Sequence, residues 1–138
     1  MNAAPIIIID DDDEDLELVK QALEELRIEN EVIIFNDGFQ FLDFIRATHN
    51  KAFFFICDIN MSRISGLELK RIIYEDEELR LKCVPFLLMS TSRASDAVMR
   101  AYSFGVQGYF IKPNSSGELR KMVQSIINYW SYSQSPNA

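Results

Sequence analysis

Histidine and cysteine are scarce in this chain of 138 residues, which has one histidine and two cysteines. His49 lies among polar residues, where a histidine is typically exposed, and this argues against a triad built on a histidine base. A zinc site or a disulfide framework needs more ligands than His49, Cys57 and Cys83 provide. Each cysteine lies in an apolar run, which predicts buried thiols in a reducing compartment. The scarcity of these residues excludes most hydrolase chemistry.

Basic residues and long apolar runs are also few. The chain has 14 Lys and Arg residues against 21 Asp and Glu residues, a formal net charge of −7. A surface of that sign repels phosphate backbones, so we expect no direct contact with nucleic acid. No apolar run approaches the ~20 residues of a membrane span, and the N-terminus lacks the basic region and apolar stretch of a secretory signal. We therefore expect a cytoplasmic protein that does not bind membranes.

The apolar pattern predicts a single α/β domain over residues 1–138, since about 150 residues typically form one domain. Short apolar runs alternate with stretches of helical periodicity five times along the chain. Such alternation predicts a parallel sheet with helices on both faces. The predicted strands are residues 6–9, 32–35, 53–57, 84–89 and 109–111, and the helices lie near 16–26, 41–45, 67–74, 94–102 and 119–130. The core spans residues 5 to about 130, residues 75–78 form an acidic connector, and the polar residues 131–138 form a flexible tail.

Polar side chains follow four of the five predicted strands, at the carboxyl ends that converge on one crevice in a parallel sheet. Four aspartates at positions 10–13 follow the first strand, Asp58 and Asn60 the third, Ser90 and Thr91 the fourth, and Lys112 the fifth. Each of these residues alone has an ordinary explanation as a helix cap, a turn residue or an exposed charge. Independent caps do not explain why carboxylates, a hydroxyl and an ammonium come together, so the set predicts a functional site.

The charges in this set favour binding of a metal ion and of a phosphoryl group. Carboxylates held within about 4–6 Å of one another repel, which raises a pKa unless a cation compensates. Carboxylates, a backbone carbonyl and waters are the ligands that Mg²⁺ or Mn²⁺ prefers. An aspartate left free beside such an ion can accept a phosphoryl group, whose oxygens a lysine and a hydroxyl would contact. The chain has no glycine-rich phosphate loop, so a nucleotide is not the obvious donor.

Four segments in order resemble the receiver domain of two-component response regulators, in its stand-alone, single-domain form. They are residues 6–13, 57–61 together with 66–68, 85–91, and 108–113. The resemblance extends over residues 5 to about 130. It implies a flavodoxin-like (βα)5 three-layer α/β sandwich, whose parallel five-stranded sheet has the order 2-1-3-4-5. It also implies a signalling protein rather than an enzyme, with at most self-phosphorylation and self-dephosphorylation activity.

The resemblance assigns roles to the residues of the crevice. Asp58 is the aspartate that accepts the phosphoryl group, and Lys112 pairs first with Asp58 and then with the phosphoryl oxygens. Asp11 binds the metal ion directly, while Asp10 acts largely through a metal-bound water. The implied ligands of Mg²⁺ or Mn²⁺ are Asp10, Asp11, Asp58 and the backbone carbonyl of Asn60.

The resemblance also implies a conformational switch. Ser90 takes the place of the switch hydroxyl, and Tyr109 takes that of the switch aromatic residue on the fifth strand. Lys112–Pro113 corresponds to a peptide bond that is usually cis in the family. The implied output surface is formed by the fourth helix, the fifth strand and the fifth helix.

The implied partners are a sensor histidine kinase or a histidine phosphotransfer protein as donor, and an unknown downstream protein. Residues 84–92 and 126–130 further resemble a bacterial subgroup that accompanies phytochrome-type and hybrid kinases, which indicates bacterial origin and allows a homodimer. Two positions depart from the family pattern: Ser62 stands where proline is common, and Thr91 where alanine or glycine is common. We expect Ser62 to loosen the loop after Asp58, and Thr91 to slow access of a donor or of water.

Two alternative functions remain open. An aspartate-nucleophile phosphatase of the haloacid-dehalogenase type would use Asp10 as nucleophile and Asp12 as general acid. That family needs an acidic pair downstream of its lysine, whereas only Glu118 follows Lys112, and Asp58 would have no role. The second alternative is a receiver-like adaptor that never accepts phosphate, and the complete set of site residues argues against it.

Overall fold

A five-stranded parallel sheet with helices on both faces makes up the computed structural model, which describes residues 3–137. The elements along the chain are β1 (Ile6–Ile9), α1 (Asp13–Glu25), β2 (Val32–Phe35), α2 (Gly38–Ala47), β3 (Phe54–Asp58), α3 (Gly66–Glu75), α4 (Glu77–Lys82), β4 (Phe86–Ser90), α5 (Ser95–Ser103), β5 (Gly108–Ile111) and α6 (Ser116–Tyr132). The sheet order is β2-β1-β3-β4-β5, and every neighbouring pair is parallel. The predicted flavodoxin-like fold and its order 2-1-3-4-5 are confirmed. None of the helices in the described residues combines the length and the hydropathy needed to cross a membrane.

The central strands are continuous apolar runs because both faces of the sheet are covered. β1 consists of four isoleucines, each at most 2% exposed. Their side chains alternate between two clusters, with Ile7 and Ile9 in one and Ile6 and Ile8 in the other. The first cluster includes residues of α2 and α3, and the second includes residues of α1 and α6. Packing on both faces holds the strands in place, and with them the residues at their carboxyl ends.

Both cysteines are free and fully buried, in agreement with the apolar runs around them. Burial raises the pKa of the Cys83 thiol to about 12, and it raises the pKa of Cys57 well above its usual range. Because the thiolate is the reactive form of cysteine, these side chains are inert parts of the core.

The chain between α3 and β4 contains a further short helix where the sequence predicts an acidic connector. The carboxylate of Asp76 caps α4 by accepting hydrogen bonds from the backbone N–H groups of Glu78 and Leu79 at 3.0 and 3.1 Å. Leu79 is buried and anchors the helix. The sequence misses α4 because a single buried leucine does not make a helical repeat. The helices of the expected output surface are therefore α5 and α6.

The C-terminal segment lies against the domain, which differs from the expected flexible tail. α6 continues to Tyr132. The side-chain amide of Asn137 then donates to the backbone carbonyls of Leu81, Lys82 and Val84 at 3.1, 2.8 and 2.7 Å. The last carbonyls of a helix have no partner within the helix, so the tail satisfies acceptors at the end of α4. Polarity alone does not reveal such contacts.

The cis peptide bond found within residues 3–137 is Val84–Pro85, so the expectation that Lys112–Pro113 is cis is wrong. The two isomers of an X–Pro bond differ by only about 0.5–1 kcal/mol. The dipeptide sequence therefore does not select one isomer, and the surrounding fold decides.

Candidate functional site

The carboxyl ends of β1, β3, β4 and β5 bring polar residues to one edge of the sheet. Asp58 is the last residue of β3 and Ser90 the last residue of β4, while Asp10 and Lys112 directly follow β1 and β5. The backbone N–H of Lys112 donates to the carbonyl of Ser90 at 2.8 Å, and Asp58 is in register with Met89. These backbone contacts fix the strand ends, so the side chains share one crevice.

Three carboxylates form the centre of the crevice. Asp10, Asp11 and Asp58 each offer an oxygen, and these oxygens all lie within 4.8 Å of one another. Asp10 is 6% exposed and Asp58 4% exposed. Burial raises the pKa of Asp10 to about 7, although the hydrogen bond from the Asp12 backbone N–H acts to lower it. Burial likewise raises the pKa of Asp58. Burial therefore disfavours the charged forms of Asp10 and Asp58, unless a cation lies beside them.

Lys112 supplies the positive charge of the site. Its Nζ lies 2.9 Å from Asp58 Oδ1 and 4.0 Å from Asp10 Oδ2. Among the described residues, the buried Oδ1 of Asp58 accepts no well-aligned hydrogen bond, so the ammonium is its compensating contact. Burial acts to lower the pKa of Lys112, but the hydrogen bond to Asp15 and the ion pair with Asp58 outweigh it and raise that pKa. Lys112 therefore stays charged at neutral pH.

Asp15 is a fourth acidic residue of the site, and the sequence interpretation missed it. Its Oδ2 accepts a hydrogen bond from Lys112 Nζ at 2.5 Å. From sequence, the acidic run is typical of a solvated helix cap. Asp12 does have that role, because its carboxylate accepts hydrogen bonds from the backbone N–H groups of Glu14 and Asp15 at 2.9 and 3.2 Å. One signal was available: Asp15 precedes the buried Val19 by four residues, so the two share a helix face.

The loop between β3 and α3 closes over the acidic cluster. The backbone N–H of Ser62 donates to Asp11 Oδ2 at 2.7 Å, so Ser62 ties the loop down and does not loosen it as expected. The N–H of Gly66 donates to the carbonyl of Ile59 at 2.8 Å. Asn60 lies in this loop and is exposed. The sequence does not predict the Ser62 contact, because every residue except proline has a backbone N–H that could donate.

Ser90 and Tyr109 both contact the backbone of Ser92. Ser90 is 1% exposed, and its Oγ accepts a hydrogen bond from the N–H of Ser92 at 3.0 Å. The hydroxyl of Tyr109 donates to the carbonyl of Ser92 at 2.8 Å. The two residues that the sequence assigns to a switch are therefore connected through one residue of the β4–α5 loop. Thr91 lies exposed at the start of this loop.

Residues 6–124 match the family model of the response regulator receiver domain. The chain belongs to this family. Among curated proteins, it is 30% identical over 122 residues to chemotaxis protein CheY of Pseudomonas aeruginosa, covering 88% of this chain and 94% of that protein. It is 28% identical over 130 residues to response regulator Rcp1 of Synechocystis, covering 91% of this chain and 87% of that protein.

Solved structures agree with this assignment. The Mn²⁺-bound form of Rcp1 superimposes with a TM-score of 0.81 at 25% identity, covering 97% of this chain and 98% of that chain. The fold is also that of the phosphorylated cyanobacterial phytochrome response regulator RcpA, with a TM-score of 0.86 at 23% identity over 99% of both chains. Receiver domains are signalling proteins of two-component systems and generally not enzymes, and they bind Mg²⁺ at an acidic pocket. This chain has an acidic cluster, formed by Asp10, Asp11 and Asp58, at the same edge of its sheet.

Proposed function

We propose that this receiver domain accepts a phosphoryl group on Asp58 from a phosphohistidine and passes the signal on by binding another protein. The observation that carries the proposal is the contact of Lys112 Nζ with the buried Asp58 Oδ1 at 2.9 Å, beside the oxygens of Asp10 and Asp11. A buried carboxylate with one paired cation beside a cation-binding cluster has the groups that phosphoryl transfer requires.

Asp10, Asp11 and Asp58 would hold a Mg²⁺ or Mn²⁺ ion, together with the backbone carbonyl of Asn60. One observation supports this fit: the carboxylate oxygens of the three aspartates lie within 4.8 Å of one another. Such oxygen ligands are those that hard divalent ions prefer. When bound, the ion supplies positive charge that offsets the phosphoryl oxygens.

The side chains of the crevice have different roles in phosphoryl transfer. A carboxylate oxygen of Asp58 attacks the phosphorus of the phosphohistidine, so an O–P bond forms while the N–P bond breaks. The electron pair of the broken bond returns to the imidazole ring of the donor. Lys112 turns from Asp58 to an oxygen of the transferred group, and the hydroxyl of Ser90 approaches another. The donor is a sensor histidine kinase or a histidine phosphotransfer protein.

We assign the output to the surface formed by α5, β5 and α6. The phosphoryl group adds about −1.5 to −2 charges and three acceptors to the crevice. Movement of Ser90 toward it would break the bond from Ser92 N–H, and Tyr109 would follow because its hydroxyl bonds the same residue. Met99 and Tyr102 on α5 and Tyr129 on α6 are exposed, 72%, 52% and 63%, and offer contacts to a downstream protein or to a second copy of the chain.

Intact-mass measurement after incubation with Mg²⁺ and acetyl phosphate tests the proposal. The native chain should gain one phosphoryl group, and Asp58→Asn, which keeps the shape of the side chain, should gain none. Asp43→Asn, an exposed aspartate on α2, is the matched control and should behave as the native chain. A gain that survives in Asp58→Asn and is lost in Asp10→Asn would favour the aspartate-nucleophile phosphatase. Absence of any gain, with acetyl phosphate and with a phosphorylated histidine phosphotransfer protein, would favour the phosphate-independent adaptor.

The remaining parts of the proposal concern location and partners. The free thiols of Cys57 and Cys83 favour the cytoplasm, where disulfides are rare. The net charge of −7 disfavours direct binding of nucleic acid. The chain would therefore act through protein partners alone.

A further inference from the structure

Lys112 is shared between two carboxylates that come from different elements of the fold, α1 and β3. Its Nζ lies 2.5 Å from Asp15 Oδ2 and 2.9 Å from Asp58 Oδ1. Asp15 is in the first turn of α1 and is separated from Lys112 by 97 positions in sequence. One of these contacts is thus made to a residue outside the group of carboxylates that would hold the metal ion.

We infer that Asp15 is a positioning residue for Lys112, which holds the ammonium on the α1 side of the crevice and weakens retention of a phosphoryl group on Asp58. The inference rests on the proposed function and names a residue that tunes it. A lysine ammonium has three N–H donors. In this structure Asp15 takes one of them, and Nζ also lies 2.9 Å from Asp58 Oδ1 and 4.0 Å from Asp10 Oδ2.

A phosphoryl group on Asp58 would bring a second strong anion to the same ammonium. Lys112 could then contact the phosphoryl oxygens only while its charge is still shared with Asp15. The carboxylate of Asp15 would also repel the phosphoryl group, since the two anions would lie on either side of one cation. Both effects weaken the binding of a phosphoryl group at Asp58. Removing the charge of Asp15 should therefore strengthen the hold of the site on a phosphoryl group.

The variant Asp15→Asn removes this charge and keeps the size of the side chain. Beryllium trifluoride with Mg²⁺ is a suitable probe, because it imitates a phosphoryl group on aspartate and its binding can be measured at equilibrium by calorimetry. We expect Asp15→Asn to bind it about three- to tenfold more tightly than the native chain. Glu14→Gln is the matched control, since Glu14 is an exposed neighbour in the same first turn of α1. Both variants lose one negative charge and one favourable contact with the helix dipole.

The ¹⁵N resonance of Lys112 Nζ provides a second measurement, which a purely structural role of Asp15 would not move. In the absence of the probe, Asp15→Asn should shift this resonance, and Glu14→Gln should leave it in place. Equal tightening in both variants would overturn the inference, because net charge alone would then explain it. Unchanged or weaker binding in Asp15→Asn would overturn it as well.

Failure of the proposed function has a different signature. The native chain would then bind no beryllium trifluoride and gain no phosphoryl mass, whereas the Nζ resonance would still report whether Asp15 holds Lys112.

Discussion

The backbone N–H of Ser62 donates to Asp11 Oδ2 at 2.7 Å, and this joins the β3–α3 loop to the acidic cluster. Proline, which is common at this position in the family, has no N–H to donate. In this chain an oxygen that would bind Mg²⁺ is therefore already engaged by the protein. A metal ion would either displace that hydrogen bond or bind a carboxylate oxygen whose negative charge the hydrogen bond already partly offsets.

Ser62→Pro should raise the affinity for Mg²⁺, whereas Ser62→Ala should not. The proline variant removes the N–H, while the alanine variant keeps it and removes only the side chain. A hydrogen bond to a charged group contributes about 1.5–3 kcal/mol, so even partial competition predicts an increase of about threefold or more for the proline variant. Calorimetric titration with Mg²⁺ measures it. Equal affinities in the two variants would show that the Ser62 N–H does not compete with the ion.

Gly66 at the start of α3 should not tolerate a side chain. A Cβ at this position would lie 2.3 Å from the carbonyl oxygen of Asp58 and 2.9 Å from the Cα of Ile59, both backbone atoms that cannot move aside. Gly66→Ala should therefore lower the free energy of unfolding by about 2–3 kcal/mol, measured in urea, and displace Asp58. It should also slow phosphorylation by acetyl phosphate.

Gly117→Ala is the matched control for this substitution. Apart from its chain neighbours and the nearby backbone of its own helix, no atom among the described residues lies within 4 Å of a Cβ placed on Gly117, which is in the first turn of α6. Alanine is the better helix former, so we expect unchanged or slightly higher stability, by up to about 1 kcal/mol. A similar loss of stability in both variants would mean that the close approach of backbone atoms at Gly66 does not cause the loss.

Parallel topology explains why much of the site can be predicted from sequence. Asp10, Asp58 and Lys112 follow apolar runs, and a parallel sheet must bring such strand ends together. Asp15 and the N–H of Ser62 escape prediction for a different reason. The role of Asp15 depends on which way a helix face turns, for which its spacing from Val19 is the one sequence signal. The role of the Ser62 N–H depends on how a loop closes, which residue type does not encode. The capping of α4 by the C-terminal segment is likewise a contact between distant parts of the chain.

Ser90 and Tyr109 should be energetically coupled through Ser92, because both contact its backbone. Ser90→Ala removes the acceptor of the Ser92 N–H, and Tyr109→Phe removes the donor to the Ser92 carbonyl. A double-mutant cycle in unfolding free energy should give a coupling of about 0.5–1 kcal/mol. The pair Thr91→Ala and Tyr109→Phe is the control, since Thr91 is exposed and should show additive effects. Additivity in both cycles would argue against a connection through Ser92.

Lys70 on α3 is a buried cation whose charge should make stability depend on pH. It is 1% exposed, and its Nζ lies 5.6 Å from the ring centre of Phe86 and 5.8 Å from that of Tyr74. Burial lowers the pKa of Lys70 to about 8, from an ordinary value of 10.5. Burial of the charged form is the main cause of this lowering. Lys70→Met should raise the free energy of unfolding at pH 7 by about 1–3 kcal/mol.

The sign of the pH dependence follows from the lowered pKa. Between pH 8 and 10.5 the unfolded chain keeps the proton of Lys70 and the folded chain loses it, so the native protein gains stability from this group as pH rises through that window. The difference between Lys70→Met and the native chain should be constant below pH 8 and vanish by about pH 10.5. Lys51→Met, at an exposed lysine, should show no such change. If Lys70→Met is less stable than the native chain at pH 7, the contacts of the ammonium with Phe86 and Tyr74 outweigh the cost of burying it.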